Sequence, residues 1–361
     1  MKKRVLSISL VLALCLALLT GCSGSSSVSE SSASQQTATQ QTATQQPAEQ
    51  GADSQPATTE SQGWVPTKDI EFIVGNKAGG GADLFTRKVV EIIQKYNMIP
   101  TNITVVNKPG SSHVVGYTYL MENGDDYHLD VVSSSFYAQP VSGNSPLTFS
   151  DFAYVSMLCK DPSLLVASNA SGLKTFADVI TYAKAHPGEL IFAGSSAMGD
   201  DTILWAQICQ QCEVDITYVA MESGADVLAN VLGGHVALGC VGPSEIGDNL
   251  AAGNLVAIAI AADERFNEFG LQDTPTFVEE GYQINHQQHR GFVMAKTASA
   301  EAVKYYSDVI GKVFETPEWE EFMRDNCMAP FHLNCDEYAE YNQTLVDTYT
   351  TFIGIIMAAQ G

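Results

Sequence analysis

Positive charge is scarce in this chain. Its 361 residues hold 18 lysines and arginines against 41 aspartates and glutamates, a formal charge of −23 at pH 7. So acidic a chain cannot neutralise a phosphate backbone, which excludes nucleic acid as a partner, and it gains no attraction to anionic lipid. It also repels small anions at long range, yet salt screens that field beyond about 8 Å, so local donors in a cleft can still dominate. Catalytic turns are missing as well. The glycine-rich stretch FIVGNKAGGGADLFTR (72–87) lacks the GK[ST] ending of a P-loop and the G-x-G-x-x-G spacing of a dinucleotide turn, and no G-x-S-x-G nucleophile turn occurs. No set of cysteines has zinc-site spacing. HQQH (His286–His289) is spaced like a metal pair but lies in a polar loop without a third ligand, so neither metal nor cofactor is expected. CQQC (Cys209–Cys212) sits inside the helical pattern TILWAQICQQC, not at a helix start after a strand, which argues against redox chemistry.

The N-terminus, MKKRVLSISLVLALCLALLTGC, has three basic residues and then an apolar run from Val5 to Leu19. That run is short for a membrane span of ~20 residues and fits an export signal. Leu19-Thr20-Gly21-Cys22 resembles the lipobox of bacterial lipoproteins, which implies cleavage after residue 21 and a lipid thioether on Cys22, anchored at the outer face of the cell membrane. Residues 22–63 are Ser, Gln, Thr, Ala and Glu with almost nothing apolar. Such a segment cannot bury enough surface to offset its ordering entropy, so it is expected to be a disordered tether spanning roughly 35 Å. In an exported protein Cys327 and Cys335, flanking MAPFHLN in what reads as a turn between helices, could form a surface disulfide.

The remainder alternates short apolar runs with helical patterns. IEFIVG, ITVVNK and HLDVVSS read as strands, and ADLFTRKVVEIIQKYN and SHVVGYTYLMEN as helices. That βαβαβ order calls for a mainly parallel sheet covered by helices. After FAYVSMLCKDPSLLVASN the alternation restarts from TFADVITYAKAHPG to LVAIAIA, a second α/β lobe. GFVMAK is a further strand, followed by three helical segments with no strand between them, expected to return to the first lobe. The expected layout is lobe 1 from residues 64–160 plus 285–361 and lobe 2 from 161–284, with strand ends opening into a cleft between them.

Several short motifs now align in order: Gly79, Gly80, Asp83 and Arg87; Asn107, Pro109 and Gly110; Asp151-Phe152; His186-Pro187-Gly188; Leu232-Gly233-Gly234; Asp263-Glu264-Arg265; Thr274-Pro275-Thr276; and Arg290-Gly291-Phe292. Their sequence resembles the receptor proteins of tripartite tricarboxylate transporters, also called Bug-type solute-binding proteins. The resemblance implies a two-lobed periplasmic-binding fold of type II, a Venus flytrap. It also implies a monomer that captures a di- or tricarboxylate, or an acidic amino acid, and delivers it to membrane permease subunits. Two other readings stay open: a receptor that signals to a membrane sensor kinase, and an enzyme handling a nucleotide or phosphate on the glycine loop.

Two strand-to-helix loops are expected to supply the grip, because backbone N–H groups at a helix start converge on an anion. Loop one contributes Asn76, Lys77, Ala78, Gly79, Gly80 and Asp83; loop two, GSSAMGDDT (194–202), contributes Ser195, Ser196, Gly199, Asp200 and Thr202. Lys77 either pairs with a carboxylate or is a solvated loop lysine. Asp83 either holds the loop or meets the ligand. Asp200 and Asp201 either cap their helix or accept a ligand ammonium. Ser134 and Ser135, at the exit of the third strand, are expected to bring hydroxyls, with Phe136 and Tyr137 walling the ligand. Ser223 and Gly224 are placed at the rim. Arg290 reaches a distal carboxylate or forms a structural salt bridge.

Overall fold

The computed structural model describes residues 63–360. The signal segment, Cys22 and all but the last residue of the tether lie outside them. Two sheets organise the chain. The first is built from β1 (Ile70–Val74), β2 (Ile103–Asn107), β3 (His128–Val132), β4 (Phe152–Asp161), β10 (Gln288–Ala295) and β11 (Ala329–Leu333), in the order β11-β4-β10-β3-β1-β2. The second is built from β5 (Ser163–Ser168), β6 (Ile191–Gly194), β7 (Thr217–Ala220), β8 (Leu238–Val241) and β9 (Leu255–Ala261), in the order β7-β6-β8-β5-β9.

Alternation along each strand divides the side chains between two faces. Ile70, Phe72 and Val74 point into one core with Leu129, Val131, Phe292 and Met294, whereas Ile73, Val132 and Val293 point into the opposite one. The second sheet does the same: Leu165, Ala167 and Phe192 face one side, Leu164, Val166 and Ala193 the other. α1 (Gly81–Lys95) buries Phe85, Val89, Ile92 and Ile93 on the first core, where Phe85 meets Phe292 and Trp319.

The sheets are more mixed than the βαβ pattern suggests. β1 pairs in parallel with β2 and β3, but β10, β4 and β11 join antiparallel. The unassigned stretch 152–169 accounts for part of this: it is two strands, β4 in one sheet and β5 in the other, separated at Pro162. Lacking an N–H, proline cannot continue a ladder, and here it marks a passage between lobes. β10 is a return passage.

The C-terminal expectation needs correcting. Between α8 (Ala300–Phe314) with α9 (Pro317–Asp325) and the long α10 (Cys335–Gln360) lies β11, an edge strand rather than a turn. Cys327 and Cys335 are accordingly unbridged. An extended strand advances roughly 3.3 Å per residue, so its two ends lie beyond the ~7 Å Cα separation a disulfide can close. Ser133–Tyr137 also differs from expectation: α3 (Ser134–Val141) begins there, and Phe136 and Tyr137 are fully buried among Tyr117, Phe149, Phe152 and Tyr349 instead of walling a ligand.

Candidate functional site

A cleft of about 510 Å³ opens where strand ends of the two sheets meet. β1 delivers Gly79–Gly81, β4 ends on Asp161, β6 leads into Ser195 and then Asp200 and Asp201, β7 leads to Gly224, β8 to Gly242, and β10 contributes Gln288 and Arg290. Of the residues singled out in the sequence, Gly79, Gly80, Ser195, Asp200, Asp201, Gly224 and Arg290 lie on this wall.

The others are not part of its lining. Asp83 is buried and does not line the cleft, accepting from the Gly79 amide at 2.8 Å, Arg87 Nε at 2.9 Å and Asn107 Nδ2 at 2.9 Å. Burial alone would raise its pKa, but the Arg87 contact with the Gly79 and Asn107 bonds holds the carboxyl below its ordinary value. Asp83 is therefore the fastener of loop one, and it explains why Arg87 and Asn107 accompany the glycines. Asn76 adds a carbonyl that accepts from Asn107 Nδ2 at 3.0 Å. Lys77 and Ala78 are exposed at the loop tip. Gly79 is left-handed, with φ 84°, a conformation glycine tolerates without strain.

A buried histidine supports the same loop. His113 lies beneath Gly75, whose amide donates to His113 Nε2 at 2.9 Å, and the same nitrogen stands 2.7 Å from Asp130 Oδ1. A Cβ on residue 75 would fall inside the imidazole ring, so only glycine fits. The glycine and histidine are 38 residues apart, and nothing in the local pattern links them.

At loop two, α5 (Asp200–Cys212) starts with two acids of different surroundings. Asp200 Oδ1 accepts from His286 Nε2 at 2.6 Å and from Tyr349 OH at 2.5 Å, and Oδ2 accepts from Gln288 Nε2 at 3.1 Å. Burial works against its charge, but His286, Tyr349 and Ser134 keep its pKa below the usual range. Neither alternative from the sequence describes this: the carboxylate ties a helix of the second lobe to β10 and α10 of the first. Ser134 belongs to the same cluster, accepting from Gln288 Nε2 at 3.1 Å, while the Ser135 hydroxyl pairs with that of Ser133 at 3.2 Å. Asp201 turns back to accept from the Ser195 amide and, at 2.7 Å, the Ser195 hydroxyl; burial raises its pKa despite these bonds. Thr202 is buried and closes the turn on Gly199, the Ser196 carbonyl accepts from Tyr218 at 2.6 Å, and Ser223 caps α6 (Gly224–Leu232).

Arg290 is 8% exposed and forms an ion pair with Asp161, which raises its pKa against the cost of burial. Its guanidinium also lies beside loop one: a Cβ on Gly81 would be 3.2 Å from Nη2. α1 has no side-chain cap at Gly80. An uncapped helix start next to a guanidinium leaves backbone N–H groups free to attract an anion within an otherwise acidic chain.

The remaining motifs are structural. Burial pushes His289 down to about 3, so it is neutral, packed against Phe331 and Tyr341. With His286 bound to Asp200, HQQH has no geometry for a metal pair. Burial pushes Cys209 and Cys212 each up to about 11, far from the reactive thiolate range. Asp161, Ser163, Gly242, Glu245 and Gln288 line the cleft and escaped sequence reasoning. Pro162 between two apolar runs and Gly242-Pro243 at a strand exit were the available signals.

Residues 86–357 match the family described as tripartite tricarboxylate transporter family receptor, TctC. A UPF0065 protein of Cupriavidus necator is 24% identical over 295 residues, 81% of this chain and 88% of that protein. Among solved structures, a TctC solute-binding protein from Polaromonas superposes with a TM-score of 0.69 at 21% identity, over 80% of this chain and 99% of that one. A protein of R. palustris solved with adipate superposes with a TM-score of 0.68 at 18% identity, over 81% and 98%. These likenesses share the two-lobed fold.

Proposed function

Because the chain belongs to the tripartite tricarboxylate transporter receptor family, whose members are extracytoplasmic solute-binding receptors and not enzymes, we propose that it captures a small organic acid in the cleft between its sheets and delivers it, as a monomer, to the membrane subunits of a tripartite permease. The observation that carries this is the pairing of the uncapped α1 N-terminus with Arg290 at one end of the cleft. Amides of the first helical turn and a guanidinium together offer several charge-assisted bonds to one carboxylate, each worth roughly 1.5–3 kcal/mol. The adipate held by a structural neighbour is a ligand of this chemistry. Among the described residues no helix is long and apolar enough to cross a membrane. Attachment through a lipid on Cys22 would leave the folded part on a tether within reach of a permease.

Calorimetric titration and thermal melting with a panel of mono-, di- and tricarboxylates and amino acids test the assignment. A true ligand at ~100 times its dissociation constant stabilises by ~2.7 kcal/mol. No response to any carboxylate would reject the organic-acid receptor while leaving the fold intact.

A further inference from the structure

Three helix N-termini open on the cleft, and their charges differ. α1 presents bare amides beside Arg290. α5 carries Asp201, folded onto Ser195. α6 meets Glu245: a Cβ on Gly224 would lie 2.7 Å from Glu245 Oε2. The cleft therefore has donors on the first lobe, the α1 amides and an Arg290 balanced by Asp161, and an anionic end on the second.

The bonding of its four carboxylates sharpens this. Asp161 is bound by Arg290, and both oxygens of Asp200 are occupied by His286, Tyr349 and Gln288. Asp201 and Glu245 are different. Among the described residues, Asp201 Oδ1 meets only the Cys240 thiol, at 3.9 Å, and Glu245 accepts through Oε2 from the Gly242 amide at 3.0 Å with no protein donor on Oε1. Asp201 and Glu245, each with an oxygen that has spare acceptor capacity, thus line the same 510 Å³ cleft as Gly80, Gly81 and Arg290. A dicarboxylate laid across the cleft would set its second negative group against them without a compensating cation.

We propose that the ligand is an amino acid, its carboxylate on the first turn of α1 and Arg290 and its ammonium on Asp201 and Glu245. This rests on the carboxylate-receptor function above and narrows it to acids that also carry a cation. Each ammonium-to-carboxylate bond is charge-assisted, so amino acids outcompete length-matched diacids by about tenfold or more.

The test is calorimetric titration of the purified protein with matched pairs, succinate against β-alanine and glutarate against 4-aminobutyrate, together with the standard α-amino acids. The expected result is tighter binding of amino acids, with E245Q and D201N each reducing the amino-acid preference by roughly tenfold. Glu245 is exposed, so E245Q keeps the test valid should D201N perturb the Ser195 turn. Diacids binding as tightly as amino acids, or a preference unchanged in E245Q, overturns the proposal while leaving the carboxylate receptor standing. Absence of any carboxylate ligand overturns both.

Discussion

Replacing Asp200 by alanine removes the one acceptor shared by His286, Tyr349 and Gln288. Asp200 is 7% exposed and His286 likewise, so water cannot readily take over these bonds. Breaking a buried ionic or charge-assisted cluster by deleting one member costs about 3–5 kcal/mol, because the remaining groups are left unsatisfied. With an unfolding entropy near 2.1 cal/mol/K per residue over about 300 folded residues, that corresponds to a fall of roughly 5–8 °C in melting temperature. Differential scanning calorimetry of Asp200→Ala, Tyr349→Phe and the double variant is the assay. The two changes should be less than additive by about 1 kcal/mol or more, as expected of direct partners. The sign with pH is fixed: a carboxyl whose folded pKa is lowered stabilises above its unfolded value of about 3.9 and loses that contribution as pH falls through the folded value. The gap between wild type and Asp200→Ala should therefore persist at neutral pH and narrow in acid. A melt within about 1 °C of wild type at neutral pH would refute the view that Asp200 ties the lobes together.

Other expectations concern loop one and the anchor. Gly75→Ala should destabilise by about 2–3 kcal/mol through collision with the buried His113 ring and weaken ligand binding with it; melting and titration read both effects. Asp83→Asn should lower ligand affinity, since the Gly79 amide and Arg87 lose a charged acceptor, and the difference from wild type should vanish as pH falls below the ordinary carboxylate range; titration at two pH values measures this. Cys22→Ser should move the protein from the membrane fraction to the soluble fraction, and retention in membranes would count against lipid attachment.

Much of the architecture was written in local patterns. Asp200–Cys212 and Leu255–Ala261 occupy the spans that apolar spacing gave them, because each buries a face whose periodicity is its own signature. β11 was not legible: of its five residues Pro330 is exposed and the other four are only half-buried, so its pairing with β4 is decided by the sheet rather than by its own sequence. The site divides in the same way. Glycines after strands announced loop one, but the acids that shape the cleft act through partners far along the chain: Asp200 reaches His286 and Tyr349, 86 and 149 residues away. Spacing within a motif carries no trace of such contacts. Of the two alternatives considered for Arg290, the salt bridge is present, to Asp161, and the guanidinium lies beside the start of α1.

The account depends most on where the ligand's carboxylate sits, and a crystal structure of the saturated protein measures that directly. The predicted result is a carboxylate within about 2.7–3.1 Å of first-turn amides of α1 and of the Arg290 guanidinium. A ligand whose carboxylate lies elsewhere, with the start of α1 making no contact to it, would contradict the account.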